Sequence, residues 1–342
     1  MKKLAFLLST LCLCAAAWAA DLSRLPSGYD WAVRLDILTG GESPLIARVL
    51  DALFPRNREA LAGRIRLFKI YSGIDLSQDL DEVIFFGNRQ LDDPDLIYAT
   101  GRFNIQQIDQ TFAMAGTRKE VYRKINIHTY RIQNGKVYYL ARPAPGIFLA
   151  GNRKESVLRA VDCVAGARRG LPAGAPSAHA LVRAKSRIAA MYTGNPQQFA
   201  VNPILAAGLS LARSADLTLD SPGRDRVDFR VVLHTDSPQA AQGMQQAVLA
   251  AKGLCLYRKE PRELAMLASA AQVAVKGGDV HIHVPMNAQM AVKLCKSMQL
   301  HQIGQVSAQD IRNAETFLKR KSGTPKSHPA PAPKKATPPH VR

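Results

Sequence analysis

At 342 residues the chain is longer than one minimal domain needs and suits two of ordinary size, and a hydrophobic content of 47% allows sizeable cores. The formal net charge of +19 predicts non-specific attraction to anionic partners. After the first twenty residues no apolar run reaches the roughly 20 residues that a membrane-spanning helix takes, so no transmembrane segment is expected there.

The first residues have the three parts of a secretory signal peptide. Met1-Lys2-Lys3 is a basic head, Leu4 to Leu13 carries no charge, and Ala15 to Ala20 are small apart from Trp18. Ala17 and Ala19 fit the A-x-A sites, which places cleavage after Ala19, with Ala20 as the rival. Cys12 and Cys14 each follow a leucine, where a lipoprotein signal needs a small residue, so lipidation is not expected. The expected location is therefore periplasmic or secreted, as a soluble protein. Cys163, Cys255 and Cys295 remain after removal of the signal; Cys255 and Cys295 could pair, or all three could be small buried hydrophobes.

In the first unit, residues 20–165, strict alternation over 30–38 reads as a half-buried strand. Ser43-Pro44 opens a helix that Pro55 ends, and a second runs from Asn57 through Phe68. Strands follow at 83–86 and 96–103. Asn104 with Gln107 reads as a capping box before a helix through Ile108 and Phe112. Strands near 121–132 and 136–142 are joined at Asn134-Gly135, a hairpin signal, and a strand at 146–150 runs into a helix capped by Asn152. Gly166, Gly170, Pro172, Gly174 and Pro176 mark a linker over 166–178.

The second unit, 179–300, repeats this order with little residue identity. A strand within 181–191 opens it. Strands at 217–220 and 227–233 flank a turn at Ser221-Pro222-Gly223, and Ser237-Pro238 starts a helix. Gly277-Gly278 joins strands 271–276 and 279–285, and Asn287 precedes a helix ending near Met298. The expectation is an α+β fold of two diverged repeats, each a mainly antiparallel sheet with helices packed on one face. A short helix within 301–321 and a disordered Lys/Pro/Ala-rich tail at 322–342 complete it. With the two leader lysines and seven tail bases set apart, about +10 remains on the folded body.

Ser72-Gly73-Ile74-Asp75, Asp79-Leu80-Asp81-Glu82-Val83 and the strand ending in Gly101-Arg102-Phe103 resemble exported bacterial proteins of unknown function built from sheet-and-helix units, over about residues 25–165. That resemblance implies fold and compartment and brings no activity with it.

No nucleophile elbow, zinc-protease helix, phosphate-binding glycine loop or paired CxxC is present. His281 and His283 lie two apart on a strand and so share a face, a pair able to contribute to a copper, nickel or zinc site given a third ligand. Asp75, Asp79, Asp81 and Glu82, and Asp92, Asp93 and Asp95, are acidic clusters of the kind that turns and helix starts favour. Tyr122, Arg123, Lys124, Tyr130, Arg131, Lys136, Tyr138 and Arg142 give basic, aromatic strands suited to an anionic ligand or polymer, joined by Lys334 and Lys335 in the tail. The expected function is non-enzymatic binding or assembly in the cell envelope, with an anionic envelope component or acidic protein as partner. No cofactor and no nucleic acid are expected. The alternatives are an envelope-directed hydrolase whose site is assembled from distant residues and a metal-binding protein using His281 and His283.

Overall fold

The computed structural model describes residues 22–37, 69, 74–75, 78–88, 94–114, 116–131, 135–182, 184, 186–199, 207–223, 225–258 and 262–297. The leader, the helices expected over 43–68, and everything from 298 onward, including Lys334 and Lys335, lie outside the described residues. The architecture is mixed α+β around one large antiparallel sheet.

Twelve strands form that sheet. In chain order they are β1 (Trp31–Asp36), β2 (Leu80–Gly87), β3 (Leu96–Gly101), β4 (Arg118–Tyr122), β5 (Ile125–Arg131), β6 (Val137–Ala144), β7 (Ile147–Gly151), β8 (Arg187–Thr193), β9 (Ala212–Gly223), β10 (Arg226–Thr235), β11 (Gln272–Lys276) and β12 (Asp279–Asn287). Their order across the sheet is β11-β12-β10-β9-β8-β1-β2-β3-β7-β6-β5-β4. Among the described residues the α-helices are α1 (Ile105–Met114), α2 (Lys154–Val164), α3 (Pro176–Leu181), α4 (Pro238–Arg258), α5 (Arg262–Ala270) and α6 (Ala288–Ser297). Asn104 caps α1, its Oδ1 accepting from the Gln107 backbone N–H at 3.1 Å.

Side-chain alternation determines which sheet faces need covering. β2 contains Val83-Ile84-Phe85-Phe86, an apolar run with no polar side, so both of its faces must be buried. Ile84 and Phe86 pack with Tyr98, Leu149 and the α2 residues Val157, Ala160 and Val161. Val83 and Phe85 pack on the opposite face with Ala99, Phe148 and the α1 residues Ile108 and Phe112. The first half thus has helices on both faces, which corrects the expectation of one.

The second half obeys that expectation. On β9, β10 and β12, Ala215, Leu233 and Val280 pack against Ala241 and Met244 of α4. Val227, Val284 and Met286 pack against Leu267 of α5 and Met290 of α6. The alternate positions of the same strands are mainly polar: Asp216, Thr218 and Asp220 face across to Val232, Arg230 and Asp228. This polar face continues the α2 face of the first half, and α4, α5 and α6 all lie on the other side.

Several expected boundaries shift. Strand 121–132 is two strands, β4 and β5, with Tyr122 paired to Ile125 around a two-residue turn at Arg123-Lys124. The expected turn at 221–223 lies inside β9, which runs on to Gly223. The opening strand sought within 181–191 is β8, preceded by the short α3. Nor does the glycine-rich segment 166–178 hang free: Leu171 and Ala178 are buried, and the Leu171 N–H donates to Leu25 O at 2.8 Å. Asn152 does not cap α2; Arg153 holds that position, with no side-chain cap bond. Cys163 and Cys255 are free thiols, and the Cys295 side chain lies outside the described residues.

Candidate ligand-binding cleft

A ten-residue helix such as α1 is about 15 Å long and 10–12 Å wide, and strands lie about 4.8 Å apart. α1 packs over β2, β3 and β7 and reaches the strands beyond them only at Leu140 of β6 and His128 of β5. A cleft of about 340 Å³ opens between α1 and the overhanging strands. Its apolar lining includes Ile108, Phe112 and Phe148; its polar lining includes Lys124, His128 and Arg142.

Backbone strain delivers Lys124 to this cleft. Arg123 and Lys124 have φ of 49° and 65°, the positive values that both central residues of the tight hairpin turn require and that Asn-Gly would adopt at little cost. Left-handed backbone costs an ordinary L-residue about 1–2 kcal/mol. Arg123 recovers part of this on the α2 side, where its Nε pairs with Asp162 Oδ1 at 2.6 Å and its guanidinium lies 5.7 Å from the Tyr122 ring centre. Tyr122 also donates to Asp162, at 3.1 Å.

Arg142 Nη1 is buried and has no hydrogen-bond partner. The carboxylate of Asp109 stands 3.6 Å away, an ion-pair separation too long for a hydrogen bond, and is itself more than half exposed. Arg142 lines the cleft, and a guanidinium there is a group that an anion's oxygen would satisfy. The Thr117 hydroxyl donates to the Phe112 carbonyl at 3.2 Å, leaving its oxygen to accept from His128 Nδ1 at 3.0 Å. Burial lowers the His128 pKa from the usual histidine value; Asp109 opposes this, and Lys119 and Arg142 add to it. The Phe112 and His128 rings lie 4.8 Å apart.

The structure separates the basic, aromatic residues named from the sequence. Strand alternation puts Tyr130, Tyr138 and Arg142 on the cleft face, Tyr130 directly opposite Tyr138, and Lys124 lines the cleft. Tyr122 and Arg131 take the opposite face, and Arg123 is held there by Asp162. Lys136 precedes β6 and has a partner of its own. Of the acidic clusters, Asp79 Oδ2 accepts from the Asp75 N–H at 2.7 Å, Glu82 pairs with Arg34, and Asp95 binds Asn88 and Arg153; Asp92 and Asp93 lie outside the described residues.

Sequence reasoning missed the polar sheet face of the second half. A chain of ion pairs crosses it: Arg187 to Asp220 at 3.3 Å, Asp220 to Arg230 at 3.5 Å, Arg230 to Asp228 at 3.4 Å, and Asp228 to Arg226 at 3.0 Å. Period-2 charges along β9 and β10 were the available signal. His281 and His283 do share this face, with Val280, Ile282 and Val284 turned into the cores. His283 Nε2 is 3.2 Å from Asp228 Oδ1. Burial alone would raise the Asp228 pKa, but its His283 and Arg226 partners outweigh that and lower it. His234 Nε2 and Nδ1 stand 3.1 Å from Asp216 Oδ2 and Asp279 Oδ1. An ionised carboxylate only accepts, so both contacts become hydrogen bonds when the ring is protonated. Its pKa is raised, chiefly by the Asp216 hydrogen bond. Among the described residues, no three His, Cys, Asp or Glu side chains are grouped to hold a metal ion, and no helix is long and apolar enough to cross a membrane.

Comparison with protein-family models, curated proteins and solved structures finds no match for this chain.

Proposed function

We propose that this is an exported, non-enzymatic envelope protein that binds an anionic partner through the cleft face of its first half. The observation that carries the reading is Arg142, whose Nη1 makes no hydrogen bond and has only the half-exposed Asp109 at 3.6 Å, at a cleft that Lys124 also lines. Tyr130 and Tyr138 extend the same face outward over the hairpin and offer stacking surface. Export is supported by the basic, apolar and A-x-A segments at residues 1–20, and the net charge of +19 favours an anionic partner. The cationic tail adds long-range attraction that salt screens. A resemblance to exported bacterial proteins of unknown function over about residues 25–165 agrees with this compartment.

Two diverged copies of one unit account for the layout. Read outward from the centre, β1-β2-β3-β7-β6 and β8-β9-β10-β12-β11 have one order, and β1 pairs antiparallel with β8. The β4–β5 hairpin is then the first copy's addition, and the cleft lies beneath it.

The test is binding of the purified mature protein to an anionic envelope polymer such as lipopolysaccharide across a salt series. Affinity should fall steeply with salt, weaken on deletion of 322–342, and weaken further in Arg142→Gln. Binding that ignores salt, or no binding, overturns the proposal.

A further inference from the structure

We infer that the cleft under the β4–β5 hairpin takes an amphiphilic anion: a phosphate or carboxylate head on Arg142 and Lys124, with an apolar body against Ile108, Phe112 and Phe148. This rests on reading the cleft as the binding site and goes further by giving its ligand two chemically different ends. A site for a bare ion needs donors all round and has no use for an aromatic wall. Here Phe112 and Phe148 stand 6.2 Å apart and line the same cavity as the buried, unmatched Nη1 of Arg142. A volume of about 340 Å³ is at the small end of ligand pockets, which run from about 300 to 1,000 Å³. That suits one short chain and its head group.

The strained turn is a second, independent observation. Left-handed backbone at two consecutive long basic residues persists only where the surroundings enforce it, and such positions gather at ligand clamps. Arg123 has a structural partner in Asp162, on the α2 side. Lys124, at φ 65°, lines the cleft instead. The turn therefore uses strain to bring Lys124 to the cleft that Arg142 also lines.

Isothermal titration of the mature protein with octyl phosphate, octanoate, inorganic phosphate and the uncharged octyl glucoside separates the possibilities. Both octyl anions should bind about ten-fold or more tightly than inorganic phosphate, and octyl glucoside should bind no better than inorganic phosphate. Arg142→Gln should weaken the octyl anions by about ten-fold, the worth of a charge-assisted hydrogen bond. Lys124→Gly should weaken them by about three- to five-fold, near the value of one exposed ionic contact, while its melting temperature holds or rises because glycine relaxes the turn. That opposite movement of affinity and stability keeps the result independent of misfolding. Arg131→Gln, on the opposite face of the same hairpin, should change nothing. If inorganic phosphate binds as tightly as octyl phosphate and Arg142→Gln weakens both, the apolar-body inference fails while the anion-binding reading survives. If octyl glucoside equals the octyl anions, the head-group assignment fails. If none of the four binds and Arg142→Gln leaves polymer binding intact, both readings fall.

Discussion

Glu82→Ala should be among the most damaging single substitutions in this protein. Arg34 lies on the central strand β1, opposite Ile84 of β2 and Ala190 of β8. Its Nη2 pairs with Glu82 Oε2, its Nη1 donates to the carbonyl of Leu181 at the end of α3, and both paired side chains are only 5% exposed. Two strands and a helix end therefore meet on one guanidinium. Removing Glu82 leaves that charge buried, and breaking such a pair costs about 3–5 kcal/mol, a large share of the 5–15 kcal/mol that holds a typical domain. Replacing both partners, as Arg34→Met with Glu82→Leu, removes the desolvation cost along with the attraction and should return stability to within about 1–2 kcal/mol of the parent. Urea unfolding of the parent, the two singles and the double closes the cycle, with the slope against denaturant checked for constancy. A cost below about 1 kcal/mol for Glu82→Ala, or a double variant no better than the worse single, would refute the reasoning, because the pair would then not be an isolated buried charge couple.

His234 should make stability depend on pH in a defined direction. Its folded pKa is raised, so its contribution is complete below the ordinary histidine value of about 6.5 and is lost as pH climbs through the folded value. The stability difference between the parent and His234→Gln, followed by urea unfolding, should shrink with rising pH; a gap that widens would invert the assignment. Gly101→Ala should cost about 2 kcal/mol by calorimetry, within the range for overpacking, because a Cβ there would stand 1.8 Å from the Asp79 carbonyl oxygen. An unchanged melting temperature would show that β2 and β3 can separate at their bulge without loss.

Much of the sheet was legible because its strands advertise their faces. Period-2 alternation in β1, β10 and β12 and the glycine turns at Gly135 and Gly277 located those elements nearly to the residue. What escaped follows from physics that no local pattern records. Arg123-Lys124 carries no turn signal, since the turn is held by Asp162 of α2, far along the chain. The Val83-Ile84-Phe85-Phe86 run did show that β2 is apolar on both sides, but a general expectation of one-sided packing overrode it. In the site, charge and aromatic content pointed to the right hairpin, yet only the register could divide Tyr122, Arg123 and Arg131 from Tyr130, Tyr138 and Arg142.

The polar face of the second half and the cleft of the first can be traced to where helices fall. In the first half α2 follows β7 onto one face while α1 covers the other, so both sides of β2, β3 and β7 become apolar. In the second half α6 follows β12 yet packs beside α5 on the face that α4 already occupies. On the opposite face α3 reaches β8 and β9, while α4, α5 and α6 leave it uncovered over β10 and β12. Aspartate, arginine and histidine pair across it instead, with Asp216 Oδ1 left without a hydrogen bond. The carboxylates of Asp220 and Asp228 are almost fully buried there, and each meets at least one arginine. The cleft has no such closure. Its guanidinium nitrogen lacks an acceptor while its neighbours are aromatic. On the proposed reading the second face uses its charges mainly on one another, at separations down to 3.0 Å, whereas Arg142 Nη1 has Asp109 at 3.6 Å, no hydrogen bond and an apolar wall beside it. That difference, more than the total positive charge, is the ground for proposing the binding site in the first half.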